Sequence, residues 1–449
     1  MFKRVLIANR GEIAVRIIRA CRELGVETVI THSEADRESL PVRMADRAVC
    51  IGGPAPKDSY LGIPNIITAA LIHECDAIHP GIAFHAENAV FAETVERTGL
   101  TFIGPPSEAI DQMGDKARAR QIMNRAGVPV VPGTKGVIEP GADVTKVAKA
   151  FGYPLMIKAA AGGGGKGIRV VHNDEELTKS VDMSRVEAQA AFGVPDVYIE
   201  KLVVEPRHIE VQILGDKHGN VTHLWERDCS IQTTGHQKLL EEGPAAGLNE
   251  NVRRLICETA VKAARAVGYV NAGTVEFLLD KDDNFYFMEM NTRLQVEHPV
   301  TELTTGVDLV KQQLMVAAGE RMPWRNARPQ APSGHAIECR VDARDPDNKF
   351  APSPGLITEW IMPGGPHVRV DTHCHAGYTV PTYYDPLLAK ILVHGASREE
   401  AIRRAERAMG ETFVSGIRTT VDFHRRILRN AFFRRGEVTT SFIRKHMQV

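Results

Sequence analysis

The sequence predicts an α/β N-terminal doubly wound domain, an α+β domain with a Gly-rich lid, and an α+β C-terminal domain. Three observations predict it. Strand-like and helix-like runs alternate over residues 1–114. Near Asp115 the alternation gives way to β-branched runs cut by glycine turns, and a Pro-bearing polar link, "RPQAPSGHAIECRV", introduces a last segment with an amphipathic helix. At 449 residues the chain exceeds what one core holds; division at 1–114, 115–331 and 332–449, with a lid subdomain at 132–202, fits domains of roughly 100–200 residues.

From the N-terminus, "RVLIA" is a short buried run, "GEIAVRIIRACRELG" has helical apolar spacing closed by a glycine, and "ETVITHS" returns as a strand. This βαβ unit is continued by "AIHPG" and "VFAETVERTGLTFIG", and it predicts parallel strands whose following loops hold ligands. After the helices of "PPSEAIDQMGDKARARQIMNRAGVPVVPG", the runs "YPLMIKAA", "GIRVV", "DVYIEKLV", "HIEVQILGD", "NVTHLWERD", "AGTVEFLLD" and "NFYFMEMN" read as mostly antiparallel strands. "REEAIRRAERAMGETF" supplies the late amphipathic helix.

Between the first two of those strands lies "KAAAGGGGKGIRVV", Lys158 to Val171. Gly162, Gly164 and Gly167 satisfy GxGxxG, but a dinucleotide site needs a helix next, and a β-branched run follows instead. The Walker pattern fails too, because Lys166 is followed by glycine. What remains is a hairpin loop with backbone N–H groups open to an anion. Lys158 and Lys166 favour phosphate over a merely flexible linker.

"TVEFLLDKDDNFYFMEMN" predicts a hairpin on a symmetric turn at Lys281–Asn284, which sets Glu276 opposite Glu289. Like charges so opposed destabilise a hairpin unless a cation lies between them. Asn291, on the same face, completes a set of hard oxygen donors of the kind that hold Mg²⁺ against substrate phosphates. Arg293, Gln295 and Glu297 continue that alternation, with Met290, Thr292, Leu294 and Val296 on the other face. Arg293 suits a small oxyanion, and Glu297 is placed to take a proton from it.

Charge is balanced at 55 basic against 56 acidic residues, so no global field points to nucleic acid or membrane, and anion binding must be local. Seven scattered cysteines without a CxxC pair read mostly as buried thiols, and no window approaches the ~20 apolar residues of a membrane span. A cytoplasmic protein is expected. "THCHAG" reads as an ordinary strand end in preference to a metal patch.

The motifs "ANRGEIAVRIIRAC", "IHPG", "MGDK", "IKAAAGGGGKGIRVV", "YIEKLV", "ERDCSIQ", "HQK", "FMEMNTRLQVEHPVTE", "ECRVDARDP" and "YYDPLLAKI" run in order through nearly the whole chain. Together they resemble the biotin carboxylase component of biotin-dependent carboxylases, acetyl-CoA carboxylase type, an ATP-grasp family. The resemblance implies that Lys116 and Lys158 contact ATP phosphates, that Gly164 and Gly165 cover them, and that Glu200, Lys201, Leu202 and Val203 form the adenine hinge. It puts His208 near the ribose and His236 between the nucleotide and biotin sides. Glu276, Glu289 and Asn291 would hold Mg²⁺ or Mn²⁺, two ions in the family.

The same resemblance gives Lys238, Arg293, Gln295 and the Val296 backbone a bicarbonate pocket. Glu297 would deprotonate bicarbonate, which attacks the γ-phosphorus of ATP to form carboxyphosphate. Arg340 would then stabilise the biotin enolate, with Ile82, Ala83, Gln232 and His236 on the biotin side. A water-sensitive intermediate explains the lid. The implied partners are a biotin carboxyl carrier protein, carboxyltransferase subunits and a second copy in a homodimer.

Two stretches depart from the family pattern. "HPGIAFHAEN" stands where the family has "HPGYGFLSEN", so Ile82 and Ala83 replace Tyr and Gly and His85 is added. "QTTGHQK" stands for "QRRHQK", so Thr233 and Thr234 replace two arginines and Gly235 is inserted. Drift with retained activity is favoured over an ATP-grasp paralogue with an altered acceptor site, either retuned or serving as a weakly catalytic assembly subunit. The loss of two cations predicts slower use of free biotin. With no "AMKM" biotinyl-lysine motif in the sequence, biotin is expected on a separate carrier.

Overall fold

The computed structural model describes residues 1–449 except 135, 161–167, 325–330 and 448–449. The first strands, β1 (Arg4–Ile7), β2 (Glu27–His32), β3 (Arg47–Cys50), β4 (Ala77–His79) and β5 (Thr101–Phe102), form a parallel sheet in the order β3-β2-β1-β4-β5. Every residue of β1 is buried, as a strand covered on both faces requires. Helix Gly11–Glu23 buries Ile13, Ile17, Ile18 and Cys21 against the sheet, matching the apolar spacing. The chain winds in opposite directions on either side of β1, and the loops after β1 and β4 open at that switch point.

The lid segment is a small antiparallel sheet of β6 (Leu155–Ala159), β7 (Ile168–Val171) and β8 (Val197–Lys201), ordered β7-β6-β8. It has its own core, built from Leu155, Ile157, Leu177, Val181, Val197 and Ile199. The hairpin reading of the strands flanking the glycine loop therefore holds. The loop itself, with the expectations for Gly164, Gly165 and Lys166, lies outside the described residues.

The main sheet begins with β9 (Arg207–Gly215), β10 (Val221–Gln232), β11 (Lys238–Gly243), β12 (Asn271–Leu279) and β13 (Phe285–Asn291), and continues in β14 (His335–Asp342). Short ribbons follow: β15 (Arg344–Asp345) with β16 (Ala351–Pro352), β17 (Gly355–Leu356) with β20 (Thr379–Val380), and β18 (Glu359–Ile361) with β22 (Phe413–Ser415). Strands β19 (Val368–Thr372) and β21 (Leu387–Gly395) complete an eight-stranded antiparallel sheet, β13-β12-β9-β10-β11-β14-β21-β19.

The third segment is thus no separate layer. β11 pairs directly with β14, Leu240 with Cys339 and Glu241 with Glu338, so one sheet runs across the polar link. Unpaired edges on either side would leave rows of backbone donors and acceptors unsatisfied. Helix Glu250–Ala266 packs on one end of this sheet through Ile256, Ala260, Ala263 and Ala264; Arg398–Glu411 and Val421–Arg429 pack on the other through Ala401, Ala405, Phe423 and Ile427.

Candidate functional site

The carboxylate hairpin is present, by a route the sequence does not show. The ladder nearest the turn pairs Leu279 with Phe285, one residue out of step with a turn symmetric about 281–284, and Phe277 pairs with Phe287. A bulge at Met288 absorbs the offset, so Glu276 stands opposite Glu289 and Thr274 opposite Asn291 after all.

The alternation expected to run from Asn291 to Glu297 does not hold. β13 ends at Asn291, and Glu297 is the N-cap of helix His298–Thr305, with Pro299 in its first turn. Glu87, from the loop after β4, draws the segment away from the sheet: it accepts from Thr292 N at 3.0 Å and from Arg293 Nε at 2.7 Å. Arg293, Gln295 and Glu297 still line the cleft, but a loop places them there and not the face of a strand. Leu294 is fully buried.

At the centre stands Lys238, the first residue of β11. Its ammonium lies 2.7 Å from Glu210, 3.0 Å from Glu276 and 2.6 Å from Glu297. Burial disfavours its charge, but the three carboxylates outweigh that and hold it well above the usual lysine range. Burial would likewise protonate Glu276 and Glu297; Lys238 reverses this, helped at Glu297 by Arg340, whose Nη2 is 2.8 Å away. Both acids are anionic at neutral pH. Arg227, fully buried, donates to Glu210 at 2.6 Å, Gln212 at 2.8 Å and Thr301 at 2.9 Å, locking the floor.

On the oxyanion side, Gln295 Nε2 donates to Glu276 at 2.7 Å, and Arg293 Nη2 to Asn291 Oδ1 at 3.0 Å. The Val296 carbonyl accepts from buried Lys390 at 3.0 Å. On the nucleotide side, Lys158 pairs with Glu200 at 2.6 Å, and Arg120 also bonds Glu200. Lys116 pairs with Glu289 at 3.1 Å. Lys201 turns its ammonium onto the Tyr153 carbonyl at 2.7 Å, which leaves its backbone, with Leu202 and Val203, to face the cleft. His208 is buried, 2.9 Å from Glu276, with Gln232 Nε2 2.7 Å from its Nδ1. Burial opposes the charge on His208, but Glu276 prevails and raises its pKa.

Glu276 and Glu289 suit a hard divalent cation as facing carboxylates; Asn291 lies beside them with Nδ2 donating to Glu276 at 2.9 Å and Oδ1 turned to Arg293, so its amide would have to rotate to offer oxygen to a metal. Lys116 and Lys238 each supply positive charge to one of the acids.

The departing loops also line this cleft. Asn9 Nδ2 donates to the Pro80 carbonyl at 2.7 Å and the Ile82 carbonyl at 2.5 Å. A Cβ on Gly81 would sit 2.8 Å from that nitrogen, and φ there is +65°. Ala83 and Phe84 follow at φ +52° and +40°, the left-handed region. Thr233–His236 is a tight turn closed by His236 N to Thr233 O at 2.9 Å, and Thr233 Oγ1 accepts from Gln237 N at 3.2 Å. His236 has φ +62°.

A single cleft of about 1290 Å³ is lined by Ile82, Ala83, Lys116, Lys158, Glu200 to Val203, His208, Gln232, His236, Lys238, Glu276, Glu289, Asn291, Arg293 to Glu297 without Leu294, and Arg340. Sequence reasoning missed Glu210, Arg227, Glu87, Arg120 and Lys390. Glu210 carried a signal, standing between Ile209 and Val211 in a strand run, whereas Arg227, between Glu226 and Asp228, carried none. Glu87, Arg120 and Lys390 reach the site from other elements and carried none.

Residues 1–110 match the family described as "Biotin carboxylase, N-terminal domain", 115–325 "Carbamoyl-phosphate synthase L chain, ATP binding domain", and 338–445 "Biotin carboxylase C-terminal domain". The chain is 53% identical over 445 residues to a protein named biotin carboxylase from Nostoc sp., covering 99% of both. It is 49% identical over 448 residues to a pyruvate carboxylase subunit from Methanothermobacter thermautotrophicus, covering 99% of this chain and 90% of that protein. The biotin carboxylase domain dimer of Hydrogenobacter thermophilus 2-oxoglutarate carboxylase, solved with MgADP and bicarbonate, superposes with a TM-score of 0.95 at 47% identity, covering 99% of this chain and 98% of that one.

Proposed function

This chain belongs to the biotin carboxylase family, ATP-grasp ligases that carboxylate biotin at the expense of ATP, and we propose how its own residues do so. ATP lies between β8 and the main sheet, with its adenine on the Glu200–Val203 hinge and its phosphates toward Lys116 and Lys158. His208 and His236 flank it. Glu276, Glu289 and Asn291 would hold Mg²⁺, which would supply neutralising charge to the ATP phosphates. Bicarbonate lies among Lys238, Arg293, Gln295 and the Val296 backbone.

Glu297, anionic between Lys238 and Arg340, takes the bicarbonate proton. The freed oxygen forms a bond to the γ-phosphorus as the bond to the ADP oxygen breaks, giving carboxyphosphate. Its decomposition yields CO₂ and a phosphate that takes the ureido proton of biotin, and Arg340 faces the resulting enolate oxygen. Gln232, His236, Ile82 and Ala83 line the biotin side of the cleft.

The observation that carries this reading is the buried Glu297 held between two cations, beside the paired Glu276 and Glu289, in one cleft. A paralogue with an altered acceptor site is not favoured, since the described ATP, metal and bicarbonate residues all line that cleft. Bicarbonate-dependent phosphate release from ATP tests the assignment: biotin is expected to stimulate it, and turnover indifferent to both bicarbonate and biotin would overturn it.

We also place the domain ends near 114 and 331, supported by family matches at 1–110, 115–325 and 338–445, and the lid at 132–202, supported by its separate small sheet and core. Biotin carboxylase components work with carboxyl carrier and carboxyltransferase components; we assign this chain a separate carrier protein, a homodimeric state and a cytoplasmic location. No helix among the described residues is long and apolar enough to cross a membrane.

A further inference from the structure

β11 and β14 set two glutamates directly opposite each other, Glu241 and Glu338, and both side chains are completely buried. Glu241 accepts from Arg340 Nε at 2.7 Å and lies 2.6 Å from Nη2, the same nitrogen that reaches Glu297 at 2.8 Å. The second oxygen of Glu241 has no hydrogen-bond partner, and neither oxygen of Glu338 has one. Arg340 lines the cleft, and among the described residues none accepts from its Nη1.

The charges around this point do not balance if every acid is ionised. Arg227, Lys238, Arg340 and His208 face Glu210, Glu276, Glu297 and Glu241, so even with His208 counted as a cation nothing is left over to compensate Glu338. The nearest cation behind Glu338 is Lys390 on β21, and it is engaged elsewhere: Glu12 at 3.0 Å, the Val296 carbonyl at 3.0 Å and Asp371 at 3.9 Å. A buried carboxyl with no partner, directly across a strand pair from a second one, keeps its proton, because ionising it would cost far more than a hydrogen bond returns.

We propose that Glu241 is the positioning residue for Arg340, and that Glu338 is a neutral, protonated carboxyl that lets Glu241 carry the charge the arginine needs. This rests on the reading of Arg340 as the acceptor-side arginine. When Glu297 takes up a proton during turnover it loses its charge and its grip on Nη2. Glu241 still holds Nε and Nη2, so the guanidinium stays at the cleft wall with Nη1 free for the acceptor.

The groups facing Glu241 are Arg340, Glu338 and Asp342 from β14, Glu297 from the cap of helix His298–Thr305, Cys229 from β10, and Lys238 on its own strand, with Lys390 beyond Glu338; Asp342 is itself lifted by burial to about 7. Burial lifts Glu241 to about 7 against the pull of Arg340, and it lifts Glu338 well above the usual carboxylate range. Arg340 bonds Glu241 while neither oxygen of Glu338 has a partner, so the pair gives up its first proton from Glu241. Below about pH 7 Arg340 loses its second anchor, and biotin-dependent turnover falls on that side.

Two measurements on the full chain test this. Infrared spectra of the unmodified protein at about pH 8 are expected to keep a protonated-carboxyl band that Glu338→Gln, isosteric with the neutral acid, removes. In steady state, Glu241→Gln is expected to raise the KM for free biotin about tenfold, with a smaller change in the KM for bicarbonate, and to flatten the acid limb of the pH profile. Absence of the band, or its persistence in folded Glu338→Gln, overturns the proposal, as does an unchanged biotin KM and pH profile in Glu241→Gln. Arg340→Lys separates the failures. If it raises the biotin KM and Glu241→Gln does not, this inference alone falls; if Arg340→Lys leaves the biotin KM unchanged, the reading of Arg340 falls with it.

Discussion

Glu297 shows how little of a residue's chemistry lies in its own identity. Buried alone it would hold a proton; between Lys238 and Arg340 it is a carboxylate ready to accept one. Glu297→Gln removes the acceptor oxygen and is expected to lower bicarbonate-dependent ATP cleavage by about 100-fold or more, measured as phosphate release. Ala83 makes a different point. At φ +52° its Cβ crowds the backbone, a cost of about 1 kcal/mol that glycine would avoid. Ala83→Gly is expected to raise stability by about that amount in chemical denaturation, provided the loop keeps its conformation. The residue types of the site were legible in the sequence, since hard oxygens, a bidentate cation and a base are chemically recognisable. The charge states were not, because each depends on neighbours brought in from other strands.

At the scale of elements, the hairpin β12–β13 was legible as to pairing partners and illegible as to mechanism. Turn residues at 281–284 suggested symmetry, while the ladder shows an offset turn corrected by the bulge at Met288. No residue type marks a bulge of this kind, so periodicity alone could not have found it. The bulge makes a sharp prediction: deleting Met288 lets the pair Phe277–Phe287 run straight on to Glu276–Glu289, a regular ladder that keeps Glu289 opposite Glu276 and Asn291 opposite Thr274. Mg²⁺-dependent ATP binding, followed by calorimetry, is expected to be retained in this deletion, and its loss with the sheet intact by circular dichroism would show that the bulge itself shapes the site. The stretch after Asn291 failed as an extension of the strand because Glu87 binds Thr292 and Arg293 from a loop some 200 residues away in sequence. Long-range capture of that sort leaves no local trace.

Across the whole molecule, the N-terminal parallel sheet, the strands flanking the glycine loop and the helix Arg398–Glu411 were readable from apolar patterning, whereas the joining of two segments into one sheet was not, since strand pairing across a link depends on which edges are left open. Glu242 on β11 helps bind the joint: it meets His335 on β14 at 2.8 Å and Arg398 at 2.7 Å. Burial would raise its pKa, but these partners bring it down to about 2, below the ordinary glutamate value of 4.5. A folded-state value below the unfolded one means the stabilisation is complete above about pH 4.5 and is lost as pH falls toward 2, on the order of 3 kcal/mol in all. Acid melting curves are expected to shift upward in midpoint pH for Arg398→Ala. The β11–β14 joint also bears on how the polypeptide could be handled as a gene. A cut in the link before β14 would divide the chain at a natural-looking boundary, yet each product would carry a raw strand edge, a template for the other half or for copies of itself. The two pieces would behave as complementing fragments, with solubility contingent on co-expression, and neither would serve as an autonomous module for fusion or shuffling.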